Sequence, residues 1–240
     1  YLDLDAWQKV AETWSGGSGA ALAGPGGMGY APTTVALRAK ELVTSGRHLH
    51  EVVVGLTRGV AVDDATWRAN LDATEFNGYA EYRPPGGARA ATEGAGRLHA
   101  RLSRLSLPKS EADAVSSLLE QASPASVPAL DIVIDDFELR GKRLGRVEIE
   151  AQNREAEAGE TAREWRLSKF RLVTPEAQLN ASGRWSAATP GAAARRRATM
   201  DFKLDIADGG ALLARLGQGE VVRGAKGQPA GQVRWLGSPL

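Results

Sequence analysis

Most of this chain alternates apolar and polar residues with a period of two, and that pattern limits its fold more than any other feature. Val147, Ile149 and Ala151 alternate with Arg146, Glu148 and Glu150. Leu179, Ala181, Gly183 and Trp185 alternate with Gln178, Asn180, Ser182 and Arg184. Met200, Phe202, Leu204 and Ile206 alternate with Asp201, Lys203 and Asp205. Successive side chains of a strand point to opposite faces, so each stretch makes a strand with one apolar and one polar face. Strands of this kind build an antiparallel sheet wetted on one side. Between Ile134 and Phe137 the phase slips. A bulge near Asp135 or Asp136 would return Ile132, Ile134, Phe137 and Leu139 to one face.

Three short segments carry helical spacing instead. Asp5 reads as an N-cap for Trp7, Val10, Ala11 and Trp14. Ser110 reads as the cap of a second helix, with Ala114, Val115, Leu118, Leu119 and Ala122 as its stripe. Asp208 reads as the cap of a third, with Leu212, Leu213 and Leu216 inward and Gly217 as its stop. Each follows a strand-like run, which predicts an internal repeat of about 100 residues. Leu37, Ala39, Gly46, Leu49, Val52 and Val54 stand 95 positions before Ile132, Ile134, Gly141, Leu144, Val147 and Ile149. Trp67-Arg68 precedes Trp165-Arg166 by a similar spacing. Gly16 to Pro32, Pro84 to Gly96 and Ala187 to Arg197 read as loops by composition.

The sheet then poses a problem of cover. Some ten extended segments share an apolar face made mostly of Ala, Val, Leu and Ile, with aromatics at only 6%. Three short helices are too few to shelter it. An apolar face must be buried against something. The sheet can close on itself, a second copy can pack on it, or it can curl into a half-pipe whose interior stays open. An open apolar trough costs about 25 cal/mol per Å² and therefore implies a ligand or partner with hydrocarbon surface.

No residue set stands out for chemistry. Cysteine is absent, which removes disulfides, thiolate metal sites and a cysteine nucleophile. His48 and His50 can share one side of a strand, but no third metal ligand sits at a suitable spacing. Asp131, Asp135, Asp136 and Glu138 are interleaved with Ile132, Val133, Ile134 and Phe137, as on a solvated strand face rather than in a calcium loop. Gly17-Ser18-Gly19 follows a helix, the wrong context for a dinucleotide fingerprint, and Lys226 lacks the Ser or Thr of a phosphate loop. Arg195-Arg196-Arg197 is the one basic run, open to anionic headgroups or simply to solvent. A net charge of +1 gives no footprint for nucleic acid. No apolar run is long enough to span a bilayer as a helix. The chain begins without methionine in a strand-like run, and it reads as an excerpt whose anchor or export signal lies elsewhere.

The stretch Pro128-Ala129-Leu130-Asp131-Ile132-Val133-Ile134-Asp135-Asp136-Phe137-Glu138-Leu139-Arg140-Gly141-Lys142-Arg143-Leu144-Gly145 resembles the AsmA-like superfamily, specifically the YhdP-type envelope proteins of Gram-negative bacteria. Trp165-Arg166-Leu167, Pro175-Glu176-Ala177, Gly183-Arg184-Trp185 and the tail from Gly209 to Gly217 are similar to it as well, as are Gly224-Ala225-Lys226-Gly227 and Trp235-Leu236-Gly237-Ser238-Pro239. Residues 128–240 carry the resemblance, and the first half shares only its pattern. The resemblance implies a mainly β fold: a long, curled, taco-like antiparallel sheet with an apolar inner surface and about three short helices. Residues 1–107 would form a first repeat and 108–240 a second, continuous with it. The implied role is a periplasmic conduit, part of an inner-membrane-anchored protein, that moves phospholipid between the two membranes without enzymatic chemistry or cofactor. Acyl chains would slide along Val52, Val54, Ile132, Ile134, Val147, Ile149, Leu167, Leu179, Ala181, Met200, Phe202 and Leu204. Expected partners are phospholipid acyl chains, neighbouring repeats and envelope proteins, with membrane contact made only outside this chain. The alternatives are a structural or assembly module with a closed, packed core, and a lipid- or glycan-directed enzyme using the carboxylates near Asp135.

Overall fold

The computed structural model describes residues 1–4, 6, 33–44, 47–59, 66–85, 95–155, 163–188, 195–219 and 222–239. Its strands are β1 (Leu2–Asp3), β2 (Thr34–Thr44), β3 (Arg47–Arg58), β4 (Trp67–Asp72), β5 (Phe76–Arg83), β6 (Arg97–Leu107), β7 (Ala129–Leu139), β8 (Lys142–Glu155), β9 (Arg163–Val173), β10 (Ala177–Ala188), β11 (Arg195–Ile206) and β12 (Ala230–Leu236). They form one sheet in chain order. Two helices are described, α1 (Lys109–Gln121) and α2 (Gly209–Arg215), with a 3₁₀ turn at Pro124–Ser126. The chain is therefore mainly β, as its alternation predicts.

Two features of the expected sheet need correction. It is not wholly antiparallel: β1 pairs with β2, and β6 with β7, in parallel. Parallel neighbours need a crossover of a dozen or more residues. Between β6 and β7 that crossover is α1 with its 3₁₀ turn, which carries the chain from Leu107 back to Ala129 beside Arg97. Nor is the sheet closed or strongly curled. Closure and curl need bulges that add along a line. Here the slips are at Asn77/Gly78, at two places in the β7–β8 pair, and at one extra residue of β9 that shifts its register with both β8 and β10.

The bulge expected near Asp135 is present. Ile134 pairs with Val147 and Phe137 with Gly145, so β7 carries an extra residue. The β7–β8 hairpin turns through Arg140 (φ 53) and Gly141 (φ 74), the two left-handed residues that match strand twist in a tight hairpin. Ala187 and Ala188 belong to β10 and Arg195 to Arg197 to β11, so the expected loop there is shorter than its composition predicts.

The caps differ in part. Asp208 caps α2 by accepting a hydrogen bond from the Ala211 N–H (3.0 Å). For α1 the cap is Pro108 without a side-chain bond, and Ser110 lies inside the helix. The helix expected from Asp5 lies outside the described residues, but Asp3 accepts from the Ala6 N–H (2.8 Å).

Corresponding bonds recur in the two halves. β2 and β7 stand 95 positions apart at both ends. The Ala73 N–H donates to Phe76 O (2.8 Å), as Thr174 does to Ala177 O (2.9 Å). Ser106 donates to Glu75 O (2.7 Å), as Ala207 does to Glu176 O (2.8 Å). The tryptophans Trp67 and Trp165 do not correspond. Trp67 pairs with Tyr82 and Trp165 with Trp185, one same-face position further from the turn; Leu167, opposite Gly183, holds the place that matches Trp67. At the exits the halves diverge: α1 returns the chain in parallel, whereas β12 runs antiparallel to β11 after α2.

Trp185 is fully buried at 0% exposure, and its indole N–H donates to Gly237 O (2.8 Å). Trp185→Ala is expected to cost about 3–5 kcal/mol in urea unfolding. Val53→Ala, at a side chain 43% exposed, is expected to change stability by less than about 0.5 kcal/mol. Equal losses would contradict this placement of the packed core.

Candidate functional site

Direct cross-strand partners share a face, so the register shows which apolar side chains form one surface. One row runs Leu37, Val54, Leu71, Gly78, Leu102, Ile134, Val147, Leu172, Leu179, Leu204 across β2 to β11. The next runs Val35, Leu56, Ala69, Ala80, Ala100, Ile132, Ile149, Phe170, Ala181, Phe202, with Gly231 on β12. Ala151, Leu167, Gly183 and Met200 continue a third.

The twelve residues singled out from sequence all fall on this face. Val52 joins it beside Ala39. Four are buried: Val52, Val147, Ile134 and Ala181. Val54, Ile132, Ile149, Leu167, Leu179, Met200, Phe202 and Leu204 remain half-exposed. Sequence reading missed Leu56, Leu71, Leu102, Phe170 and Leu172. Phe170 and Leu172 are out of phase with Leu167 until the bulge in β9 is allowed for, and the same slip recognised in β7 would have located them.

The strand ends are closed differently. At one end Trp165 pairs with Trp185, Trp185 with Ala198, and Ala198 with Trp235. Their indoles donate to backbone carbonyls: Trp165 to Pro128 (3.0 Å), Trp185 to Gly237 (2.8 Å) and Trp235 to Ser238 (2.6 Å). Ala122 and Val127 pack on this cluster. Arg196 reaches from β11 to the carbonyls of Glu120 and Ala122, satisfying acceptors left open at the end of α1. At the other end α2 is held by a paired hydrogen bond from Arg215 to Glu176, 2.7 Å at each oxygen. Arg215 also donates to Arg143 O (3.1 Å). The Glu75 carboxylate, at the turn matching that of Glu176, is instead bound by the ring (2.7 Å) and backbone N–H (3.1 Å) of His50.

The opposite face is charged. Glu148 accepts from Arg146 (3.0 Å) and ion-pairs with Lys169 (2.8 Å), and hydrogen bonds from Lys169 and Arg146 hold its carboxyl down to about 2. Arg146 also meets Asp135. Asp131 is held below the usual carboxylate range by hydrogen bonds from Arg101 and His99, which outweigh the opposing effect of burial. Glu138 pairs with Arg143 (3.8 Å). Asp131, Asp135 and Glu138 are thus divided among separate ion pairs. His48 and His50 take different carboxylates, Glu41 and Glu75. Lys226 lines an open cleft of about 520 Å³ beside Pro175 and Asp205. The Gly17-Ser18-Gly19 stretch lies outside the described residues.

Fold and face together define a single long β-sheet with one continuous apolar surface. A family model described as "YhdP protein" matches residues 1–240, so the chain belongs to the YhdP family. The match extends over the first half as well as the second. Membership makes this a cell-envelope protein related to lipid transport. No curated protein and no solved structure matches the chain. No described helix is long and apolar enough to cross a membrane.

The Glu176 carboxyl is held at about 2, against an ordinary 4.5, chiefly by the hydrogen bonds from Arg215. A depressed carboxyl contributes stability that is complete above its unfolded value and is lost as pH falls toward the folded one. Glu176→Gln is expected to cost about 1–2 kcal/mol at neutral pH. The gap from the parent chain should close between pH 4.5 and about 2, the interval between the unfolded and folded carboxyl values. A gap that persists unchanged at the acid end would show that the ion pair does not account for it.

Proposed function

We propose that this chain is a non-enzymatic segment of a periplasmic lipid conduit, and that phospholipid acyl chains move along the apolar face between the inner and outer membranes. The observation that carries the reading is the continuous apolar row from Leu37 to Leu204, flanked by half-exposed Ile132, Ile149 and Phe202. A surface of this kind binds hydrocarbon without direction or fixed stoichiometry, which suits passage better than capture. Because the sheet is not strongly curled, the chains lie on an open face rather than inside a half-pipe, with headgroups toward water. Neighbouring repeats and the membrane anchor of the larger protein complete the path on this reading.

The flatness of the sheet also favours a second reading, in which another protein layer covers the face and the chain serves envelope assembly. The two differ in what touches Ile149 and Phe202. Photo-crosslinking side chains placed at those positions in cells are expected to yield phospholipid adducts. Ile149→Asp is expected to abolish adducts at Phe202, whereas Ile149→Ala should reduce them only a fewfold, since contact is spread over many residues. Adducts to protein alone would reject the conduit.

A further inference from the structure

The charged face carries a second surface at the strand ends near the tryptophans. There Arg166 lies directly opposite Arg184, and Arg184 opposite Thr199, which in turn faces Arg234. Arg154 and Arg197 occupy the adjoining row, with Glu164 and Ser186 between them. All five arginines are exposed. Among the described residues, Arg154, Arg166, Arg184 and Arg197 make no ion pair or hydrogen bond through their guanidinium groups. A few rungs away on the same face, Arg146 and Lys169 are both paired with carboxylates. Like charges directly opposite each other destabilise a sheet, so this patch stands apart from the pairing around it.

We propose that this patch is a docking surface for an anionic phospholipid bilayer. The guanidinium groups lie on a flat face spanning five strands, about 19 Å across at the usual strand spacing. Among the described residues none encloses a small anion there, but a surface presenting many phosphates meets several arginines at once, and guanidinium binds phosphate in a paired geometry. Leu236, paired with Arg197 and 63% exposed, adds an apolar side chain at the rim. An envelope protein has such surfaces within reach. This places a membrane contact inside the chain, where sequence reading expects none. It lies on the face opposite the apolar rows and is independent of their role.

The test is co-sedimentation of the full 240-residue chain with vesicles of phosphatidylcholine alone or containing about 30% phosphatidylglycerol, whose negative surface attracts basic residues at about 1 kcal/mol each. The parent chain is expected to bind the anionic vesicles only, and to release them when salt is raised to about 0.5 M. Each arginine neutralised should weaken binding about fivefold, so Arg166→Gln with Arg184→Gln loses about 25-fold. Arg166→Lys with Arg184→Lys keeps most of the binding. Arg38→Gln with Lys40→Gln, which removes the same charge from β2, should have little effect. Thermal unfolding confirms that each variant is folded. No binding by the parent chain would overturn the proposal and leave an acidic protein as the occupant to seek. Equal losses from the β2 variant would overturn it too, because net charge alone would then explain the binding.

Discussion

The structure depends on a mismatch between the apolar surface the strands create and the cover the described residues supply. Period-two alternation fixes one face of every strand as aliphatic, and the register aligns those faces into rows across the sheet. Covering a half-buried Leu or Ile is worth about 1 kcal/mol. Eight of the twelve residues singled out from sequence remain in that condition. The flat sheet cannot remedy this internally, because neither edge strand reaches the other: β1 and β12 each have one partner. A surface left in this state gains by contact with hydrocarbon or with further chain beyond the described residues.

The two described helices close the strand ends and do not cover the middle rows. α1 delivers its last turn and the following coil to the tryptophan cluster, where Arg196 binds the carbonyls of Glu120 and Ala122. α2 is pinned at the opposite end by Arg215 and Glu176. The same alternation that separates apolar from polar side chains divides the arginine run. Arg196 pairs with Ala187 and reaches over the apolar side, whereas Arg197 pairs with Ser186 and stays exposed on the charged one. Arg196 and Arg197, neighbours of one type, thus serve two different surfaces.

The face was legible because alternation is a local signal that survives any arrangement of neighbours. Val147, Ile149, Phe202 and Leu204 declare their side within their own strands, and the slip at Asp135 announces its bulge. The parallel joints were not legible, since strand direction depends on the route taken by α1. Nor was curl, which depends on where bulges fall relative to one another across several strands. The arginine cluster escaped notice because Arg166, Arg184 and Arg234 are far apart in sequence and meet only through register. The resemblance carried by residues 128–240 identified the family correctly, and the curled groove it implied is the part this sheet does not reproduce.

On the proposed reading the apolar rows hold lipid hydrocarbon. Native mass spectrometry of the chain purified without detergent measures this most directly. Adducts with the masses of intact phospholipids are expected, and they should disappear in Ile149→Asp while the protein stays folded. A folded chain that carries no lipid, and takes none up from phospholipid vesicles, would contradict it.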